Sequence, residues 1–487
     1  MSGEVRSFGE RGSLLTPKLI IFTLMTTKYF LIFLLFLGGI CQGQQKDEAM
    51  RIYPYAFPLK MSSSSRYLVD QSNQPFFWSG DAAWSLIAQL DNRDANLYLE
   101  NRKEKGFTVI MVSLIEHKFA ANAPANFNGD LPFKGSPFVS PNEKYFAHAD
   151  FVIESAWQHN ILVLLAPLYL GYECKDEGWC AEVKTASQAD LYSWGRYVGT
   201  RYKKFSNIIW LIGGDTDPSP VKDKILEMVK GIRESDTIHL FSGHNQPESM
   251  AVDPWQDESW LTVNDVYSYD SVIYKRYEMA YERKPVIPYY QIESAYENEH
   301  NSTPQELRSH AYWAILSGAM GHVFGNCPVW HFGSAIRWCN TNDWEKEMNN
   351  SGSVSMDYLQ RLFRSRSWQT LIPDFNNRLI LSGYGELGTK DHVSSARTGD
   401  GNTIIAYLPS NRTVKVDMSK IEGSQARCWW YDPSNGQTEE IGTYSTFGLH
   451  SFTPNSFGDQ VLVIDNVDSK FSAPGRDAMV NAIKIRK

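Results

Sequence analysis

Short apolar runs of strand length alternate with longer helical stretches through the middle of this chain, and few folds accept that alternation. Strands separated by crossover helices run parallel and bury both faces, so they read as continuous apolar runs rather than alternating ones. Such runs fall at residues 76–80, 109–115, 161–169, 208–212, 238–242, 263–267, 285–292 and 322–324. Helices are expected at 92–105, 141–158, 188–205, 220–235, 274–282 and 303–317, the fourth with Ser219 as its cap and Pro220 at its first position. Eight such strands in about 250 residues predict an α/β fold of the (β/α)8 TIM-barrel type. A doubly wound open sheet is the competitor. It requires a glycine-rich phosphate loop after its first strand, and Phe77-Trp78-Ser79-Gly80-Asp81 is not one.

Two of the runs end in an acid. Ile208 to Gly214 leads into Asp215, and Pro285 to Ile292 leads into Glu293. In a barrel closed in chain order these are the ends of the fourth and seventh strands, across the mouth where such folds place their active sites. Two carboxylates converging there suit acid/base and nucleophilic cleavage of a glycosidic bond, with the roughly 5 Å separation of a retaining pair. Asp217 is a rival for the acid, set against a turn role in Asp217-Pro218. Glu297 and Glu299 are expected to be solvated or to pair with a helix dipole. Other strand ends offer substrate-binding candidates: Asp81, Trp84, His117, Tyr169, His244, Tyr267, Tyr269 and Trp330. Rings for stacking and polar groups for hydroxyls make a sugar cleft.

After Cys327 the pattern changes. A helical stretch near 356–368 precedes short β-rich pieces at 378–382, 403–408, 413–416, 427–431 and 460–464, punctuated by turns such as Asp400-Gly401. That predicts a small C-terminal β-sandwich, with the barrel at 44–375 and the sandwich at 376–487. The 487 residues exceed what one small core needs, consistent with two domains. Residues 29–39 are almost wholly apolar, follow Lys18 and Lys28, and precede Cys41-Gln42-Gly43. They read as a signal peptide over 1–43, with Met25 as an alternative start. The run is short for a membrane span. A lipid anchor at Cys41 is the weaker alternative because Ile40 is bulky before such a cut. An exported protein, periplasmic or at the cell surface, is expected.

Net charge is −8 and no Lys/Arg run tracks phosphates, which argues against nucleic acid. Cys174 and Cys180, and Cys327 and Cys339, are close enough in sequence to bridge, but their pairing stays open. No Gly-x-Ser-x-Gly elbow or His-Glu-x-x-His motif occurs. Gly383-Tyr-Gly385-Glu-Leu-Gly388 has dinucleotide-type spacing, yet no helical pattern follows it. Neither cofactor nor metal is expected.

Four segments taken together resemble a known group: Phe76 to Trp84 (FFWSGDAAW), Tyr98 to Phe107 (YLENRKEKGF), Asn207 to Asp215 (NIIWLIGGD) and Tyr312 to His322 (YWAILSGAMGH). They are similar to the apiosidase-like glycoside hydrolases, secreted barrel enzymes of pectin-degrading bacteria. The tail with Trp430-Tyr-Asp-Pro433 and Gly436 resembles the small β-domain that accompanies that barrel, often labelled collagen-binding. The resemblance implies that Asp215 is the acid/base and Glu293 the nucleophile. The chain departs where the family commonly carries Gln-Ser-Gly-His near the sixth strand. Here Tyr267-Ser-Tyr-Asp270 stands instead, a stretch that would line the sugar. The expected function is hydrolysis of pectin-like glycans, apiosides included. The alternative is a non-catalytic carbohydrate-binding protein on a barrel scaffold.

Overall fold

The computed structural model describes residues 54–270, 272–334, 339 and 341–476. The expected signal peptide and Cys41 lie outside the described residues. No described helix is long and apolar enough to cross a membrane.

Eight parallel strands form the barrel wall: β1 (Trp78–Ala82), β2 (Val109–Ser113), β3 (Leu162–Ala166), β4 (Ile208–Gly213), β5 (Phe241–His244), β6 (Asn264–Tyr267), β7 (Tyr289–Glu293) and β8 (Gly321–Phe324). They are hydrogen-bonded in the order β5-β4-β3-β2-β1-β8-β7-β6, and a parallel bridge from Ser242 to Val263 joins the two ends. Every residue of these strands is buried, as a two-sided parallel sheet requires. Inside, Trp78 of β1 stacks on Tyr290 of β7 at 4.3 Å, and the Tyr290 hydroxyl lies 3.1 Å from Ser242 of β5. The barrel interior is therefore packed, not hollow.

The outer ring comprises α1 (Asn92–Glu104), α2 (Glu143–Gln158), α3 (Gln188–Tyr202), α4 (Lys222–Ser235), α5 (Tyr274–Glu282), α6 (Pro304–Leu316) and α7 (Ser351–Arg364). Local chemistry sets several starts. Asp91 accepts from the Asp94 N–H ahead of α1, Ser187 and Asp190 form a reciprocal capping box on α3, and Thr303 caps α6 with Pro304 in its first turn. The expected Ser219 cap of α4 is corrected. A 3-10 turn, Ser219–Val221, precedes that helix, and Ser219 instead donates its N–H and O–H to Asp217 Oδ1 at 3.0 and 2.6 Å. Two strands begin three or more residues later than expected. β7 starts at Tyr289 because Pro285 and Pro288 have no N–H to give the ladder, and only the Pro288 carbonyl takes part, accepting from Asn264. β5 starts at Phe241 because His239 is tied to the Asp236 carboxylate in the preceding turn.

The C-terminal unit holds two antiparallel sheets. One orders β9 (Leu371–Pro373), β11 (Ser394–Thr398), β12 (Thr403–Leu408), β17 (Gln460–Asn466), β14 (Gln425–Tyr431) and β15 (Thr438–Ser445), the other β10 (Ile380–Ser382), β13 (Val414–Asp417) and β16 (Leu449–Phe452). The central strands of the larger sheet, β12 and β17, are buried on both faces. Ile404, Ala406, Leu408, Leu462 and Ile464 meet Val414, Val416 and Phe452 of the smaller sheet. Their alternate neighbours Ile405, Tyr407, Val461 and Val463 join the barrel's own core. Across that junction Tyr407 stacks on Tyr312 of α6 at 4.8 Å, Arg308 binds Asp459 through two hydrogen bonds of 2.8 and 2.7 Å, and Arg366 binds Asp465 likewise. Fully paired, bidentate buried charges fix the register of the two parts.

Candidate active site

All eight strands end on one face, and seven of the ten site residues expected from sequence line one cavity there, of about 770 Å³: Trp84, Tyr169, Asp215, Tyr267, Tyr269, Glu293 and Trp330. Glu293 is the last residue of β7 and Tyr267 the last of β6. Asp215 follows β4 by two residues, and the turn that delivers it is built on glycine. Gly213 and Gly214 have φ of +112° and +132°, and Asp215 itself φ of +42°. A Cβ on Gly214 would sit 2.4 Å from the Tyr169 ring and 2.9 Å from the Leu170 nitrogen, both in the loop after β3. Gly214→Ala should therefore lower stability by about 2–4 kcal/mol and displace the Tyr169–Asp215 contact; urea unfolding measures the first, and unchanged stability would refute it.

His244, the last residue of β5, binds both acids' segments. Its Nδ1 accepts the Asp215 backbone N–H at 3.0 Å and its Nε2 lies 3.0 Å from Glu293 Oε2. An acceptor Nδ1 leaves the ring proton on Nε2, so the ring donates to Glu293. The neighbouring Glu293 carboxylate raises the ring's proton affinity against burial. A second proton on Nδ1 would nonetheless confront the Asp215 N–H, and the geometry holds the neutral ring. Glu293 Oε1 accepts from the Tyr269 hydroxyl at 3.1 Å. Tyr169 donates to Asp215 Oδ2 at 2.9 Å. Burial, then the charges of Asp215 and Glu293, push Tyr169, Tyr267 and Tyr269 well above the ordinary phenol range, so all three stay as O–H donors. Glu293 is pushed above the ordinary carboxylate range by burial and by Asp215, with the His244 and Tyr269 hydrogen bonds opposing.

Two expected site residues are corrected. Asp81 does not reach the cleft: strand alternation turns it outward, fully buried, onto Tyr98 and Arg102 of α1 at 2.5 and 2.7 Å. His117 is also outside the lining, with Nε2 3.3 Å from Glu182 and its ring edge-on to Trp179. His244 acts from behind the wall instead of lining it. Asp217 is an exposed turn residue whose Oδ1 is occupied by Ser219. Glu299, expected in solvent or against a helix dipole, is buried, lines the cavity and accepts from Trp330 Nε1 at 3.0 Å. Glu297 does pair with a helix N-terminus, that of α7, through the Gly352 N–H at 2.7 Å. Glu116 and Tyr296 also line the cavity, as do Glu177 and Glu306, which were not singled out. The order of the fold was their available signal, since every loop after a strand opens on this face.

The C-terminal unit reaches the rim. Lys390 lies 2.8 Å from Glu306, and its loop is anchored by the Trp313 indole N–H on the His392 carbonyl and by Tyr274 stacked on His392. Cys174 is paired with Cys180 and Cys327 with Cys339, each in a loop that lines the cavity. Among the described residues, Cys327, His331 and Cys339 place donor atoms within 4.8 Å of one another, but sulfurs joined in a disulfide offer no thiolate to a metal.

Asp265 sits below Tyr267 on β6, fully buried, with Oδ1 accepting the Ala251 N–H at 2.8 Å and Oδ2 unpartnered among the described residues. Burial pushes its carboxyl up to about 8 from 3.8. A folded-state pKa above the unfolded value stabilises fully below about pH 4, and that contribution falls by up to about 1.4 kcal/mol per pH unit until pH 8. Asp265→Asn removes this titration. Its Tm relative to the parent should rise steadily from pH 5 to pH 8, and a flat difference would refute the assignment.

The family model described as "Apiosidase-like, catalytic domain" matches residues 62–370, and a model described as "Putative collagen-binding domain of a collagenase" matches residues 372–465. No curated protein sequence matches the chain. Among solved structures, one named "Glycoside hydrolase" is 23% identical with a TM-score of 0.76, covering 86% of this chain and 99% of its own. A glycoside hydrolase family 5 structure from Bacteroides vulgatus is 23% identical with a TM-score of 0.77, covering 88% and 98%. These two likenesses concern the fold. With its whole barrel, from the lead-in to the end of the helical ring, matched by the catalytic-domain model, the chain belongs to the apiosidase-like family of glycoside hydrolases.

Proposed function

We propose that this glycoside hydrolase is exported and cleaves plant cell-wall glycans of the pectin type with retention of configuration, apiosides among them. Glu293 attacks the anomeric carbon, forming a glycosyl–enzyme ester, while Asp215 gives its proton to the leaving oxygen. Asp215 then takes a proton from the water that opens the ester, and Glu293 leaves as the carboxylate. The observation that carries this reading is His244, one neutral ring bound to the Asp215 backbone and to the Glu293 carboxylate. With the Tyr269 hydroxyl it gives Glu293 two donors, which favour the ionised nucleophile. The Asp215 charge opposes that ionisation, and protonating Asp215 removes the opposition, so a proton on Asp215 and a charge on Glu293 are mutually consistent.

Export is supported by the apolar segment at residues 29–39 and by two disulfides, which persist in oxidising compartments. Incubating the chain with a panel of pectin-derived oligosaccharides and resolving the products by chromatography tests the activity. Release of a terminal sugar with retained anomeric configuration is expected. Retention of intact glycan without product would favour the binding-protein alternative.

A further inference from the structure

We propose that Glu248 is a positioning residue for the nucleophile: it holds the turn at 268–270 so that the Tyr269 hydroxyl stays on Glu293, an inference that rests on the role given to Glu293 above. Tyr269 is 42% exposed, so packing does little to fix it, yet its hydroxyl reaches the buried Glu293 Oε1 at 3.1 Å. Tyr267 meets its ring edge-on at 5.5 Å, and the two hydroxyls are 3.5 Å apart. The backbone of the turn is held from the loop after β5. Glu248 Oε1 accepts the N–H groups of Tyr269 and Asp270 at 2.8 and 3.0 Å. Its Oε2 accepts the Ser268 hydroxyl at 2.6 Å and the Nε–H of Arg276, in α5, at 2.8 Å. A carboxylate, which only accepts, suits four converging donors.

The main chain delivers Glu248 to that place. Its neighbour Pro247 lines the cavity, and Glu248 has φ of +62°, a left-handed conformation that a residue with a Cβ adopts at a cost. The short strand Ser249–Met250 runs antiparallel to β6, with Ser249 opposite Tyr267, which brings Glu248 beside Ser268. Ser268 in turn donates its N–H to the Glu293 carbonyl at 3.1 Å. Residues 244–248 thus govern both donors to the nucleophile, His244 directly on Oε2 and Tyr269 on Oε1 through Glu248. The Glu248–Arg276 pair is partly exposed and by itself stabilises the fold little, so its loss falls on the turn. The charges and phenols acting around Glu293 include Asp215, His244, Asp265, Tyr169, Tyr267 and Tyr296 besides Tyr269. Releasing Tyr269 takes away one of the hydrogen bonds that favour ionised Glu293, and its proton affinity rises.

The test measures kcat/KM against pH for sugar release from a pectin oligosaccharide digest by the full chain, beside crystal structures of the same variants. Glu248→Ala should move the acid limb of kcat/KM to higher pH by roughly half a unit or more. Tyr269→Phe should move it at least as far, and the double variant no further than Tyr269→Phe alone. In the Glu248→Ala structure the Tyr269 hydroxyl should lie more than about 3.5 Å from Glu293, beyond hydrogen-bond reach. Glu248→Gln keeps the size but turns an amide toward donors, and it should shift the limb in the same direction should the alanine variant fail to fold. An unmoved limb, additive shifts in the double variant, or a Tyr269 hydroxyl still bound to Glu293 overturns the inference, whatever happens to Tm. No release by the parent at any pH overturns the hydrolase reading instead. The structures then decide alone: Tyr269 released from Glu293 upholds the role of Glu248, and Tyr269 still bound overturns it.

Discussion

Glu293→Ala should abolish turnover of any accepted glycan, by at least about 10⁴-fold in kcat, because it removes the only group proposed to bond to the anomeric carbon. The side chain ends β7, and its two oxygens are held separately, by His244 Nε2 at 3.0 Å and by Tyr269 at 3.1 Å. Truncation leaves a small space at that point and two donors without an acceptor. Azide or formate fits both needs. With an activated aryl glycoside as substrate, added azide should restore part of the rate and yield a glycosyl azide of inverted configuration, since the anion attacks once from the face Glu293 occupied. Azide with the Asp215 variant should instead give the retained product, because there it intercepts the ester formed by Glu293. The stereochemistry of the azide product assigns the two roles independently of rate. A Glu293→Ala enzyme within tenfold of the parent would refute the assignment.

The residues proposed to carry this chemistry were legible because strand ends in a parallel barrel are set by the periodicity of apolar runs. Asp215 and Glu293 could be placed without knowing a single contact, and the tyrosines of the sixth strand followed from the same rule. Asp81 misled for a reason of parity. It lies in the last half of β1, but residues one apart on a strand face opposite sides, and Asp81 faces α1 while Trp84, beyond the strand, turns into the cavity. His117 sits in a loop, where position along the chain does not fix direction. Glu299 was assigned to solvent or a helix dipole, and Glu306 escaped notice, because their surroundings depend on what comes later in the chain: Trp330 donates to one and Lys390 to the other. The same dependence hid the edge strands of the sandwich. Thr438–Ser445 carries Glu439, Glu440 and Gly442 and has no apolar signature, yet Gln425–Tyr431 pairs along its length.

His244 shows what sequence reading reached only in part. Its position after the fifth strand marked it as a candidate, but its use is the tautomer, which depends on the Asp215 backbone being turned toward Nδ1. That turn in turn depends on Gly213 and Gly214 and on the close approach of Tyr169. One pair of glycines thus sets where the Asp215 carboxylate points and which ring nitrogen faces Glu293.

Asp215→Ala should lower kcat/KM by about 10²–10⁴-fold on substrates whose leaving group needs a proton, and by much less on an activated aryl glycoside. The difference follows from the proposed division of labour. Asp215 contributes a proton at departure, and a leaving group that is already a stable anion does not require one. Asp217 is the internal comparison, two residues away with the same chemistry. It is exposed and its Oδ1 accepts from both the Ser219 N–H and O–H, so Asp217→Ala should stay within a few-fold of the parent on every leaving group. A dead Asp217 variant beside an active Asp215 variant would move the acid to Asp217. It would also require the 213–219 turn to rearrange when substrate binds, because Tyr169 donates to Asp215 in the structure described.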